Sequence, residues 1–527
     1  MIYLLAFSGL TISCEEETVT DEEVVDEELP LLNITLPEEE TKVWLTTSLK
    51  AEASDNQGIT KVEFYLDEKM LGEDTEAPYA LDFDTRPYKD GTYVLKVRAF
   101  DEAGNQQEAT RTVEILNKLI QVNVGENHLD SDWAPEEGWV VIADTDGNTI
   151  AYEPLTNNQS VVINRPEGVE GDKISVVIIK NIFFGEGNKA LIVDQYDNVS
   201  PLTWNMPGRD VEQEQIGTAT VSYIVPAGYE KHLESFWTGK SKFTGGFSQY
   251  RGNSENDEWE TSDIEIQQEP AGMFVMIHDV DGNELPYFAF LDSIKVNDYY
   301  TLRKEDFQEM ELWQTIAIPE SEFSRISVYG KSKNGIRYNI YYDSNFIAGG
   351  GLSAYIHQPT FTDFSFSLDF DSDNKGYKVF SKEKPLAQYQ FPEQDIEVTK
   401  VALDRFSAIV DSEDPVTYSR VEYGNWYDVN GYQHIAVWSI YTDSEDTLNV
   451  KQIALPEEIK SKYPELEEHQ PKYSLTELKT YEDISSLQDY LEKFSGPNEE
   501  DVEYEQMMFF SSYSNGRVAW EDYKEKQ

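Results

Sequence analysis

From Pro30 onward, apolar and polar positions alternate with a period of two. Val62, Phe64 and Leu66 alternate with Glu63, Tyr65 and Asp67, and Tyr93, Leu95, Val97 and Ala99 alternate with Val94, Lys96, Arg98 and Phe100. Successive side chains of a strand point to opposite faces, so the pattern predicts strands with one buried and one wet face. Turn residues punctuate it at Asp55-Asn56-Gln57-Gly58, Asp90-Gly91 and Ala103-Gly104-Asn105. Later runs, 140–142, 174–179, 275–277 and 364–370, keep the strand character. Helical periodicity enters only late. Pro456 opens a short helix, and 483–494 places Leu487, Tyr490, Leu491 and Phe494 on one side before Gly496-Pro497 ends it. The expectation is an all-β, multidomain chain of β-sandwich modules with a few short helices near the C-terminus.

One internal echo divides the long second part. In 139–148 and again in 274–283, an apolar run enters Asp-x-Asp-Gly-Asn. Two copies suggest two related modules, each with this hairpin near its start. The expected boundaries are 118–212, 213–360 and 361–527. An EF-hand would need glycine at the sixth loop position and glutamate at the twelfth. Here Gly147 and Gly282 fall at the fourth, with Leu155 and Phe290 at the twelfth, so a hairpin turn is expected instead.

Charge changes the picture of partners. The 527 residues carry 42 Lys+Arg against 100 Asp+Glu, a formal charge of −58. Such a chain lacks the basic footprint of a nucleic-acid binder. It is also repelled by an anionic membrane surface unless something covalent holds it there. Its one cysteine, Cys14, excludes an internal disulfide and a multi-cysteine zinc site. The thirteen residues before Cys14 carry no charged side chain and are too few for a membrane-spanning helix, which needs about 20.

Leu10-Thr11-Ile12-Ser13-Cys14 resembles the lipobox of bacterial lipoproteins, with Thr11 where that family usually carries leucine. The resemblance implies a signal peptide over 1–14 and an outer-membrane anchor, palmitate or a similar chain, on Cys14. Glu15, Glu16 and Glu17 open an acidic stretch over 15–29 that reads as a disordered tether. An acidic run at this place is similar to the export signal of surface lipoproteins in the Bacteroidetes. Residues 30–117, through Ala53–Tyr65, Ala77-Pro78-Tyr79 and Asp90–Asn105, resemble the bacterial Ig-like domain often attached to secreted carbohydrate-active enzymes and surface proteins. That resemblance implies a spacer or support, with Tyr93 as a corner residue tying a strand end to backbone.

Candidate chemistry is sparse. No His-Glu-x-x-His, Gly-x-Ser-x-Gly, phosphate-binding or dinucleotide motif occurs, and no two of the six histidines stand at metal-ligand spacing. No catalytic residue is assigned, and the expected protein is not an enzyme. Asp55 and Asp101, each before a glycine turn, are candidate calcium ligands, with turn capping as the competing role. Aromatics reach 13 %, with 32 Tyr and 10 Trp. Flat rings can stack on sugars, and they also fill cores. Two clusters beside glycine-rich sequence supply ligand-binding candidates: Trp237, Phe247 and Tyr250, then Tyr423, Trp426, Tyr427 and Tyr432. The expected partners are an extracellular glycan or envelope proteins. The plan is similar to that of surface glycan-binding lipoproteins of Bacteroidetes nutrient uptake. The alternatives are a structural or adhesive envelope protein and a polysaccharide hydrolase with an Ig-like accessory module.

Overall fold

The structure is a computed structural model. It describes residues 26–513 apart from 40, 130–137, 170, 184–186, 209–215, 225–232, 239–246, 251–257, 267–268, 278–284, 334, 336, 346–350, 373–374, 392, 413–414, 445, 482 and 495–505. Cys14 and its flanks lie outside the described residues. The chain divides into a first unit ending at Asn117 and a second beginning at Lys118.

In the first unit the period-two pattern becomes two facing sheets. Leu31–Leu36, Thr46–Ser54 and Tyr79–Asp84 form one, and Thr41–Val43, Gln106–Ile115, Gly91–Asp101, Ile59–Leu66 and Lys69–Asp74 form the other in that spatial order. Val62, Phe64, Leu66, Leu95, Val97 and Ala99 all point into the shared core, as their alternation predicts. Tyr93 Oη donates to the Lys89 carbonyl at 3.0 Å, the strand-end tie expected of it.

The second unit is built around a twelve-stranded sheet. It includes Gly138–Ala143, Ile174–Phe183, Lys189–Val199, Tyr432–Thr442, Tyr418–Val429 and Lys472–Tyr481 in consecutive spatial order. Lys189–Val199 and Tyr432–Thr442 pair in parallel, joining residues over 240 positions apart. Strands from all three expected modules therefore share one sheet, including Phe323–Ser332 and Arg337–Asn345 from 213–360. The physical reason lies in sequence such as Ala190-Leu191-Ile192-Val193. A run apolar on both parities suits a strand with neighbours on both edges, and it carries no signal of which neighbours.

Each face of this sheet carries a layer. On one, the sheet of Ser160–Asn164, Lys118–Val124 and Leu202–Met206 and the helix Leu487–Phe494 close a core around Trp204, Tyr196, Tyr441 and Tyr418. On the other, Gln394–Val401, Arg405–Ser412 and Thr447–Lys451 and the short helices Glu457–Lys462 and Glu465–Glu468 cover Val421, Tyr423 and Trp438. The helix Leu487–Phe494 buries Leu487, Tyr490 and Leu491, three of the four residues expected to face inward. At the first echo, Gly138–Ala143 returns into Thr149–Leu155 through a turn in which Asp144 accepts from Asp146 N and Asn148 N, with Gly147 at φ +86°. The second echo has the same antiparallel return, Ala271–Ile277 into Tyr287–Ile294, though its Asp-Val-Asp-Gly-Asn lies outside the described residues. Among the described residues, no helix is long and apolar enough to cross a membrane.

Candidate functional site

Two places collect the residues singled out above. In the first unit, the turns after Thr46–Ser54 and Gly91–Asp101 bring Asp55 and Asp101 together, and Asp26 joins them from the acidic stretch. One carboxylate oxygen of each lies within 4.8 Å of the other two. Asp26 is held there from outside the cluster, because Asn105 Nδ2 donates to the Asp26 carbonyl at 2.9 Å and to the Glu28 carbonyl at 3.1 Å. Asp101 is only 3 % exposed. Burial acts to raise its carboxyl, and donors on Asn105, Gly104 and Ala103 outweigh that and leave it below the ordinary value. Oδ2 of Asp26 and Oδ2 of Asp55 are both inaccessible to water and have no hydrogen-bond donor among the described residues. Three converging carboxylates with two orphaned oxygens repel one another unless a cation or a proton lies among them. An all-oxygen donor set of this spacing suits a hard divalent ion such as calcium, whose ligands sit at about 2.3–2.6 Å. Asp26 carries no sequence signal that separates it from its acidic neighbours.

In the second unit, Tyr418–Val429 returns through Asn430 and Gly431, at φ 57° and 88°, into Tyr432–Thr442. Both residues tolerate positive φ, which the two-residue turn requires. Cross-strand pairing then sorts the aromatics by face. Tyr423 pairs with Trp438 and Tyr427 with His434 on one face; Trp426 pairs with Ile435 on the other. Tyr423 is 0 % exposed, its ring inside the core beside Tyr473, so it offers no ligand face. Of the expected platform, that residue is a core residue. Tyr427 is partly buried and lies flat on His469, ring centroids 4.0 Å apart and 11° from parallel. Burial, and then the nearby Glu465 charge, push its hydroxyl up to about 12. Tyr432 remains 43 % exposed and Trp426 50 % exposed.

Two contacts here escaped sequence reasoning. Gly187 sits at φ +81° under Tyr432, where an added Cβ would come within 2.3 Å of the ring. His469, 42 positions beyond Tyr427, comes back through the two short helices, and its carbonyl accepts from Asn425 Nδ2 at 3.1 Å. The other expected cluster is placed only by its backbone: Trp237 in Leu233–Thr238, and Phe247 and Tyr250 in the adjacent strand Phe247–Tyr250.

The first unit's two-sheet core and corner tyrosine have a counterpart among known families. Residues 30–97 match the Bacterial Ig domain family. The Ig domain thus accounts for most of the first unit. No curated protein matches the chain. Among solved structures, the fibronectin(III)-like modules of Clostridium thermocellum CbhA align at 25 % identity, over 16 % of this chain and 94 % of that one, with a TM-score of 0.15. The Bacteroides ovatus mixed-linkage glucan utilization locus protein SGBP-B aligns at 10 % identity, over 62 % of this chain and 92 % of that one, TM-score 0.15. A tetra-tandem repeat from the extending region of a large adhesion protein aligns at 11 % identity, over 66 % and 96 %, TM-score 0.18. The strand register and the Ig match together establish an all-β chain of several sheets.

Proposed function

We propose that this chain is a non-catalytic cell-surface protein that binds an extracellular glycan through its second unit. In this proposal a lipid on Cys14 anchors it at the outer membrane, and the acidic stretch and the Ig domain act as the spacer. The supporting observation is a contrast in exposure. The second unit buries Trp204, Tyr418 and Tyr423 completely, yet at the end of one hairpin leaves Trp426 50 % exposed on one face and Tyr432 43 % exposed on the other. Leaving large rings half in water forfeits burial free energy, and flat aromatic faces are what pyranose rings stack on. The anchor rests on Cys14 being the sole thiol, within a lipobox-like run. Calcium belongs to the Ig domain, with Asp26, Asp55 and Asp101 as ligands and a structural effect.

A glycan array probed with the full chain, with and without calcium, tests the binding reading, and the mass of the N-terminal peptide tests the anchor. Binding to a related group of glycans without release of new reducing ends is expected. A blank array under both conditions moves the protein to the structural or adhesive class. Release of reducing ends moves it to the hydrolases.

A further inference from the structure

Following the register across the sheet places Trp426 at the head of a shelf. Trp426 pairs with Ile435, and Ile435 with Ala190. The next row on the same face is Gly424, Val437 and Ile192, and the row after that is Glu422, Ser439 and Asp194. Directly paired residues share a face, and rows two residues apart stand about 6.6 Å apart at ~3.3 Å per residue, so the three rows span roughly 13 Å. The following row, with Tyr441 and Tyr196, already belongs to the core under the small covering sheet. Ile435, Val437 and Ile192 are only partly buried and belong to neither of the cores on this sheet's faces. Ser439 is 3 % exposed and Ile178, the partner of Asp194, lies in the core, so the cover reaches the third row. Among the described residues the open part of the shelf is the rows of Trp426 and Gly424, with Glu422 at its border.

The shelf's polar border is held rigid. Arg420 Nη2 lies 2.9 Å from Glu422, and Arg420 Nε lies 3.0 Å from Glu477 on the neighbouring strand. These three side chains remain about one fifth exposed, at 20 %, 21 % and 19 %. Ser474 Oγ donates to Glu422 Oε1 at 3.0 Å, fixing that carboxylate further. Lys180, paired with Ile192, and Lys472, paired with Gly424, fall on the same face. Lys180, Arg420 and Lys472 thus offset Asp194, Glu422 and Glu477, and Asp428, one row beyond Trp426 on the same face, leaves one acid in excess, on a chain that carries 42 basic against 100 acidic residues overall.

We infer that this shelf is the glycan-binding surface and that its ligand is an uncharged polysaccharide; the inference rests on the glycan-binding reading above. The apolar rows headed by Trp426 meet the flat faces of the sugar rings. The preorganised Arg420–Glu422–Glu477 triplet supplies donors and acceptors for hydroxyl groups, with no rearrangement when the ligand arrives. The acids on this face offset its cations, and the negative field of the chain as a whole repels a polyuronate.

The test is electrophoresis of the full chain through gels containing soluble β-glucan, xylan, galactomannan or, separately, alginate. The comparison is between wild type, Trp426→Ala and Glu422→Gln, with circular dichroism to verify folding. Retardation by at least one neutral polymer is expected, with both variants about tenfold weaker, as for an aromatic anchor that the ligand covers and its polar partner. Retardation that neither variant weakens overturns the shelf while leaving glycan binding intact. Retardation by alginate alone overturns the uncharged class. No retardation in any gel overturns the inference, and if the glycan array is also blank the underlying reading falls with it.

Discussion

Tyr427 and His469 lie face to face, ring centroids 4.0 Å apart and 11° from parallel, and that contact separates Tyr427 from its chain neighbour Trp426. The sheet turns the two residues to opposite faces. One ring is capped by the segment after the short helices, and the other is left half in water. Trp426→Ala is therefore expected to change stability by no more than about 0.5 kcal/mol, as at other open surface positions. Tyr427→Ala removes a stacked, partly buried ring and is expected to cost ~1–3 kcal/mol. Urea unfolding of both variants checks the pair.

Tyr423 offers a test of the core assignment. Its hydroxyl is inaccessible and has no partner among the described residues. Tyr423→Phe removes an unsatisfied polar group and should be neutral or stabilising by up to about 1 kcal/mol. Tyr423→Ala should cost ~3–5 kcal/mol by leaving a cavity. Neither effect should carry over into glycan affinity for the phenylalanine variant, which gel retardation can measure.

Asp197 should imprint a pH dependence on the second unit. Burial pushes its carboxyl up to about 6, against hydrogen bonds from Gln195 Nε2 at 2.9 Å and Ser175 Oγ at 2.8 Å. A carboxyl with a higher pKa folded than unfolded binds its proton more tightly in the native state. Its contribution is therefore fully favourable below about pH 4 and is lost as pH rises through about 6, a change of up to ~3 kcal/mol. Asp197→Asn should remove that slope, so the gap in melting temperature between variant and wild type should widen in the variant's favour from pH 4 to pH 8. A gap independent of pH would contradict the assignment.

The carboxylate cluster predicts calcium-dependent order in the Ig domain. Ligand at about 100 times its Kd adds roughly 2.7 kcal/mol to the folded state, and extracellular sites of this kind bind at about 0.1–1 mM. Calcium should raise the Ig domain's melting temperature and slow proteolysis at residues 26–29. Asp55→Asn should abolish both responses, and calorimetry with calcium or with chelator reads them directly.

Strand content and the inward positions of the first unit were legible because Val62, Phe64, Leu66 and Leu95, Val97, Ala99 each have a polar neighbour on either side or nearly so. The partnership of Lys189–Val199 with Tyr432–Thr442 was not, because pairing across more than 240 positions leaves no local trace. The aromatic cluster around residue 426 was visible as composition, whereas its division between two faces follows only from register. Asp55 and Asp101 could be proposed as a pair from their turns. Asp26 could not, because its place is fixed by Asn105 reaching back to its backbone.

Hydroxyl-radical footprinting of the full chain, with and without a neutral polysaccharide that retards it, locates the binding surface most directly. Trp426 and Ile435 should lose reactivity when the polymer is bound, while Trp204 and Tyr423, already buried, should not change. Protection confined to other peptides, with Trp426 as reactive as before, would contradict the account.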